Sequence, residues 1–392
     1  MRARRPRTQK LILRASIPPV GHPTLIPTFS LRLGRGGSTG EACDETNAGI
    51  KACSPTLEPT KPLSQFRNLA FEGGGVKGIA YAGALKRLEA EGVLQGVRRA
   101  AGTSAGAVTA TLLALGARGE ELLRLAGATP YHAFLDDSAG LLRDGWRLMK
   151  KYGWHKGDAF TQWMGARIAE LAGRQDITFR ELAARARSEP GRFLDLHVIG
   201  THLSEQRARV YSAEQTPDFP ILRAVRISMS IPLFFTAVSL EDGLHVDGGV
   251  IWNYPIDLFD EPRLLADARA GCVPPDCGAG RCYNRETLGL RVDTSDDPRR
   301  PGPRPRLPLE NLSDYLKATV NLLADLANKV HLSPYDWQRT VYIDTGTVRA
   351  TDFHLKPEQV QELLRRGDEA VASYLAWFRD PGERPLNRIE PA

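Results

Sequence analysis

Asn68-Leu69-Ala70-Phe71-Glu72-Gly73-Gly74-Gly75-Val76-Lys77-Gly78 and, one helix later, Gly102-Thr103-Ser104-Ala105-Gly106 decide how this chain folds. Asn68–Phe71 reads as a short buried strand that runs straight into a glycine turn. From Gly74 to Ser104 is 30 residues, enough for a turn, one helix and a second strand. Both loops then open at the same edge of one parallel sheet. There a serine hydroxyl faces bare backbone N–H groups, the pairing that acyl transfer needs: one attacks a carbonyl while the others hold the oxyanion.

The pattern continues on both sides. A helix is expected over 77–91, with Tyr81, Leu85 and Leu88 on its apolar face. Its small residues Gly78, Ala80, Ala82, Gly83 and Ala84 suit close packing on a sheet, and Gly92 ends it. Residues 97–101 form the next expected strand, and the apolar run 105–115 a buried helix. Strand, serine turn and buried helix make a nucleophile elbow, where Cβ atoms at positions 102 and 106 would crowd the backbone. Further helices are expected over 156–173, 178–187 and 221–230, and strands over 194–200, 209–212, 244–247, 287–292 and 340–344. Two amphipathic helices close the chain, one carrying Leu312, Leu316, Val320 and Leu323, the other Val360, Leu363, Leu364, Val371, Leu375 and Phe378. The expectation is an α/β domain over 66–300 and a helical region over 301–392 packed on it.

Residues 1–65 stand apart. Positions 1–40 hold eight Lys/Arg and no Asp or Glu, which leaves 44 basic against 46 acidic residues in the remainder. The +6 net charge is therefore a property of the tail, and no nucleic-acid-binding core is expected. The tail is rich in Pro, Gly, Ser and Thr without periodicity and reads as a disordered basic extension. Only Leu11-Ile12-Leu13 follows its positive start, too short for a secretory signal, although a transit or export segment has a similar composition. No apolar run of 18 residues occurs, so no transmembrane helix is expected. Five cysteines, an odd number, suit a reducing, cytoplasmic setting. Cys272, Cys277 and Cys282 lack a nearby histidine and a fourth ligand, so neither metal nor cofactor is expected.

Ser104 needs a base, either a histidine held by a carboxylate or a carboxylate acting directly. Of eight histidines none sits in a strand-end glycine turn, though His331 or His354 could complete a Ser-His-Asp triad of α/β-hydrolase type. Asp247 does, in Leu244-His245-Val246-Asp247-Gly248-Gly249. Alone, Asp-Gly-Gly is simply a tight turn. Gly73-x-Gly75-x-x-Gly78 also fits a dinucleotide fingerprint, which demands an acid at the end of the second strand. That strand ends in Ala100-Ala101-Gly102, and Glu89 and Glu91 fall within or at the end of the helix.

Together, Phe71 to Gly78, Gly102 to Gly106 and Asp247-Gly248-Gly249 resemble the three signatures of patatin-like phospholipases. Ser228-Met229-Ser230-Ile231-Pro232-Leu233-Phe234-Phe235 and Asn253-Tyr254-Pro255 are similar to bacterial members. The resemblance implies a three-layer α/β/α fold around a mostly parallel sheet, and a lipid acyl hydrolase of phospholipase A or lysophospholipase type. It implies Ser104 as nucleophile and Asp247 as its partner in a dyad without histidine. Gly73, Gly74, Gly75, Lys77 and Gly78 would make the oxyanion loop, Gly74 and Gly75 supplying the N–H groups. No calcium is needed. The implied partner is phospholipid or another acyl-ester lipid, met at a membrane surface. The stretch with Trp146, Lys150, Lys151 and Trp154 reads either as a membrane-facing segment or as a cap helix on the core. A protein that keeps the fold and binds lipid without turnover is the non-enzymatic alternative.

Overall fold

Strand β1 (Asn68–Phe71) is buried at all four positions, as befits a strand with neighbours on both edges and packing on both faces. The computed structural model describes residues 63–134, 153–264, 283–293 and 336–380, with 309, 315, 318 and 319. Of the two units into which the chain divides, Met1–Pro55 and Thr56–Ala392, all of these belong to the second. The tail, the three clustered cysteines, Trp146, Lys150, Lys151 and most of the helix expected from 312 lie outside them.

The strands that follow are β2 (Arg99–Thr103), β3 (Gly153–His155), β4 (Asp195–His202), β5 (Arg207–Ser212), β6 (Leu233–Phe235), β7 (Val238–Leu240), β8 (Gly243–Asp247), β9 (Thr287–Asp293) and β10 (Thr340–Asp344). Eight form one sheet in the order β10-β9-β1-β2-β4-β8-β7, with β5 on the free edge of β4; β3 and β6 pair separately. From β10 to β4 all pairings are parallel, whereas β5 and β8 join β4 antiparallel.

One consequence of the register builds the site. β4 pairs residues 195–199 with β2, 200–202 with β8, and 197–202 with β5. Because β5 overlaps both of the others, β2 and β8 must share the opposite edge. They run toward each other along one lane, and their ends meet where Thr103 pairs with Ile199 and Asp247 with Gly200.

Helices α1 (Ala80–Ala90), α2 (Ala105–Ala114), α3 (Gly119–Ala128), α4 (Asp158–Ala172), α5 (Phe179–Ser188), α6 (Ile221–Ser228) and α7 (Pro357–Arg379) accompany the sheet. α1 starts later than expected because a 3-10 turn, Gly75–Ile79, comes first. Its small residues face another helix as well as the sheet side: ideal Cβ atoms at Gly83 and Gly367 would stand 1.8 Å from Leu364 O and 1.9 Å from Ala80 O. Alternation along β1 sorts its side chains. Leu69 and Phe71 join the main core with the helices, while Ala70 packs with Tyr254 and Ile256 on the other face. The mostly parallel sheet with its helices agrees with the expected fold class. α3, β3, β6 and β7 were not expected.

Candidate active site

The elbow is built on backbone contact. Ser104 sits at φ 52° and ψ −124°, a strained conformation for a residue with a Cβ. An ideal Cβ on Gly106 would fall 2.4 Å from Phe71 O, so glycine there lets the turn close on β1. Gly102, Gly78 and Gly248 likewise stand where chain segments cross. The Ser104 N–H donates to Ser228 Oγ at 2.9 Å, and Ser228 Oγ donates to Ile199 O. Ser228 thus ties the elbow to the point of β4 where the two strand ends meet. Sequence reasoning gave it no role, because a serine closing a helix has no pattern of its own.

The glycine turn lies alongside. Gly73 N–H donates to Asn253 O at 3.0 Å and Asn253 Nδ2 donates to Gly73 O at 3.0 Å. Gly75 takes φ +55°, and a Cβ there would meet Ala350 O at 2.0 Å. Val76 N–H donates to the same carbonyl at 3.0 Å. Lys77 is turned away: its N–H donates to Gly74 O at 3.2 Å and its Nζ to Val292 O at 3.2 Å. Among the described residues, the N–H groups of Gly74 and Gly75 have no recorded acceptor. They are the two that the resemblance named.

Asp247 ends β8, 4 % exposed. Oδ1 accepts from Gly249 N–H at 2.7 Å, whereas buried Oδ2 has no donor in close hydrogen-bond geometry. Burial pushes the carboxyl up to about 7, against the pull of the Gly249 N–H and the Ser104 hydroxyl. Ser104 Oγ lies 3.7 Å from Met229 Sδ, a weak acceptor. The same hydroxyl is close enough to Asp247 to lower the carboxyl's pKa. Among the described residues no histidine hydrogen-bonds to either side chain, and exposed His354 stacks loosely on His132 instead. The Ala350 carbonyl also occupies the Val76 N–H, one of those at the helix start that a pyrophosphate would use.

Next to the elbow opens an apolar cavity, lined by Ala105 and Met229 beside Ser104 rather than by Ser104 or Asp247 themselves. Gly75, Gly78, Ala105 and Met229 line the end nearest Ser104, and Phe134, Phe160 and Trp163 line it further along. Phe353 reaches it from beyond β10 and stacks on Phe234 at 5.4 Å. Together these groups offer a hydroxyl beside a basic carboxylate, two N–H donors and room for a hydrocarbon chain.

Residues 69–260 match the family model described as patatin-like phospholipase. The Bacillus subtilis (strain 168) protein YqhO is 29% identical over 324 residues, covering 78% of this chain and 96% of its own. "Probable lipid hydrolase 463L" of Invertebrate iridescent virus 6 is 24% identical over 205 residues, 49% of this chain and 63% of its own. VipD from Legionella pneumophila superposes with a TM-score of 0.51 at 17% identity, covering 80% of this chain and 67% of that one. The chain carries a patatin-like phospholipase domain across residues 69–260.

Proposed function

We propose that this protein hydrolyses acyl-ester bonds of phospholipids or lysophospholipids through a Ser104/Asp247 dyad. The carrying observation is the buried, unpaired Oδ2 of Asp247 beside an elbow serine at the end of an apolar cavity. The acyl chain lies in the cavity with its ester carbonyl at Ser104. Oγ attacks the carbonyl carbon as Asp247 Oδ2 takes its proton, and the Gly74 and Gly75 N–H groups hold the oxyanion. Collapse expels the alcohol, which receives that proton. Water then attacks the acyl-serine, Asp247 takes its proton, and fatty acid leaves with Ser104 restored. Burial supports the role of Asp247, since a carboxylate of ordinary pKa near 3.9 is too weak a base at neutral pH. An ester suits the dyad, because an alcohol departs with less proton assistance than an amine.

The test is a lipid panel with products identified by mass, run on wild type, Ser104→Ala and Asp247→Asn, with serine-directed phosphonate labelling alongside. Both variants should lose turnover, and Ser104→Ala should also lose the label. Wild-type turnover in both would remove the dyad. Replacing His331 and His354 in turn should leave turnover intact; its loss would favour a triad.

A further inference from the structure

At the opposite end of β8 from Asp247, two hairpins of the antiparallel half bring a second group of side chains together. His202 ends β4 and pairs across the strands with His245 of β8, while Asp242 stands in the turn between β7 and β8. The imidazole rings are 4.3 Å apart. One ligand atom from each of His202, Asp242 and His245 lies within 4.8 Å of the others. His245 Nε2 is 2.9 Å from Asp242 Oδ1; His202 Nε2 is 3.6 Å from Asp242 Oδ2 and 3.7 Å from Glu205 Oε1. Both histidines are fully buried, whereas the two carboxylates are 45% exposed. His202 Nε2 has no hydrogen-bond partner, although it points at two acids. A buried polar atom left in that state calls for an explanation.

We infer that His202, His245 and Asp242 form a binding site for one divalent transition-metal ion of the zinc class, with Glu205, which also pairs with Arg207, at its edge 3.7 Å from His202 Nε2. Tetrahedral bonds of about 2.0–2.1 Å place neighbouring donors about 3.3 Å apart; the Asp242 oxygens stand 2.9 Å from His245 Nε2 and 3.6 Å from His202 Nε2, and all three ligand atoms lie within 4.8 Å of one another. Two imidazoles with a carboxylate select zinc over calcium or magnesium, which prefer all-oxygen shells. The second shell is partly built: Tyr211 Oη lies 2.9 Å from His245 Nδ1, and a hydroxyl that accepts there turns the Nε2 lone pair toward the ion. His202 needs a local change. Its Nδ1 accepts the Glu205 N–H at 3.2 Å, so ligation through Nε2 moves the ring proton to Nδ1 and opens that contact. It lies in an exposed turn, where Gln206 already takes φ +53°. The exposed acids provide the entry path, and the bound ion clamps the β4–β5 hairpin to the β7–β8 hairpin. None of this depends on the hydrolase reading.

The experiment titrates the reduced full-length chain with zinc(II) by calorimetry and compares it with Asp242→Asn, which keeps the shape of a half-exposed side chain. Wild type should bind one equivalent more than the variant, or bind that equivalent at least tenfold more tightly. Glu205→Gln should weaken binding less. The five cysteines are rival ligands, so X-ray absorption supplies the second measurement. Nitrogen and oxygen neighbours at about 2.0–2.1 Å should be seen in wild type and lost in Asp242→Asn. A zinc shell made only of sulfur at about 2.3 Å, or identical stoichiometry and affinity in the two proteins, would overturn the inference.

Discussion

The environment that raises Asp247 to about 7 suits it to the base of the proposed dyad and makes it a burden on the fold. The base acts in its ionised form, so turnover should rise with pH through about 7 and be small at pH 5. Stability runs the other way. The folded pKa lies above the ordinary value of 3.8, so the contribution of this group is full below about 4 and is lost as pH climbs to about 7. Asp247→Asn removes the buried charge while keeping an acceptor for the Gly249 N–H. It should be inactive yet unfold at a higher temperature than wild type at pH 8, by a few kcal/mol at most, with the difference vanishing near pH 4. Equal unfolding temperatures at both pH values would show that the carboxyl is not desolvated as described. Ser104 and Asp247 were legible because each ends a strand in glycines, and their order along the chain excluded plainer readings. Ser228 and Met229 stayed illegible, because their roles arise only where β4 brings distant segments together.

Between elements, the crossing of α1 and α7 depends on paired glycines. Each glycine costs a helix about 1 kcal/mol against alanine, and here that cost is offset by backbone approach: Gly83 faces Leu364 O, and Gly367 faces Ala80 O. Gly367→Ala improves helix propensity but puts a Cβ 1.9 Å from a carbonyl, so the helices must part. The expected loss is about 1–3 kcal/mol, read as a lower midpoint in thermal unfolding; a raised midpoint would mean that the crossing tolerates the methyl. The unbroken apolar run after Ser104 revealed α2, and periodicity revealed α1 and α7 because their apolar stripes are long. It missed three-residue strands such as β6, which have no room to repeat, and α3, whose stripe is cut by the Gly119 start. It could not show that α1 receives the C-terminal helix, since small residues look alike whether a sheet or a helix lies against them.

For the molecule as a whole, the cavity joins segments far apart in the chain, from Gly75 to Phe353. If it receives the acyl chain, narrowing it should shift chain-length preference and leave the chemistry alone. Ala126→Phe, in the α3 wall, should cut turnover of long-chain esters tenfold or more while leaving acetate esters within about twofold, since apolar pockets discriminate by about 1–3 kcal/mol per methylene. An equal loss on both would point to damage at Ser104 instead. The lane shared by β2 and β8 also has a meaning in time. The elbow leaves the ribosome 143 residues before Asp247, and the β8 end of the lane stays vacant until that strand arrives. On the proposed mechanism a nascent chain in that interval carries the serine without its base, so synthesis itself delays competence until β8 has been made.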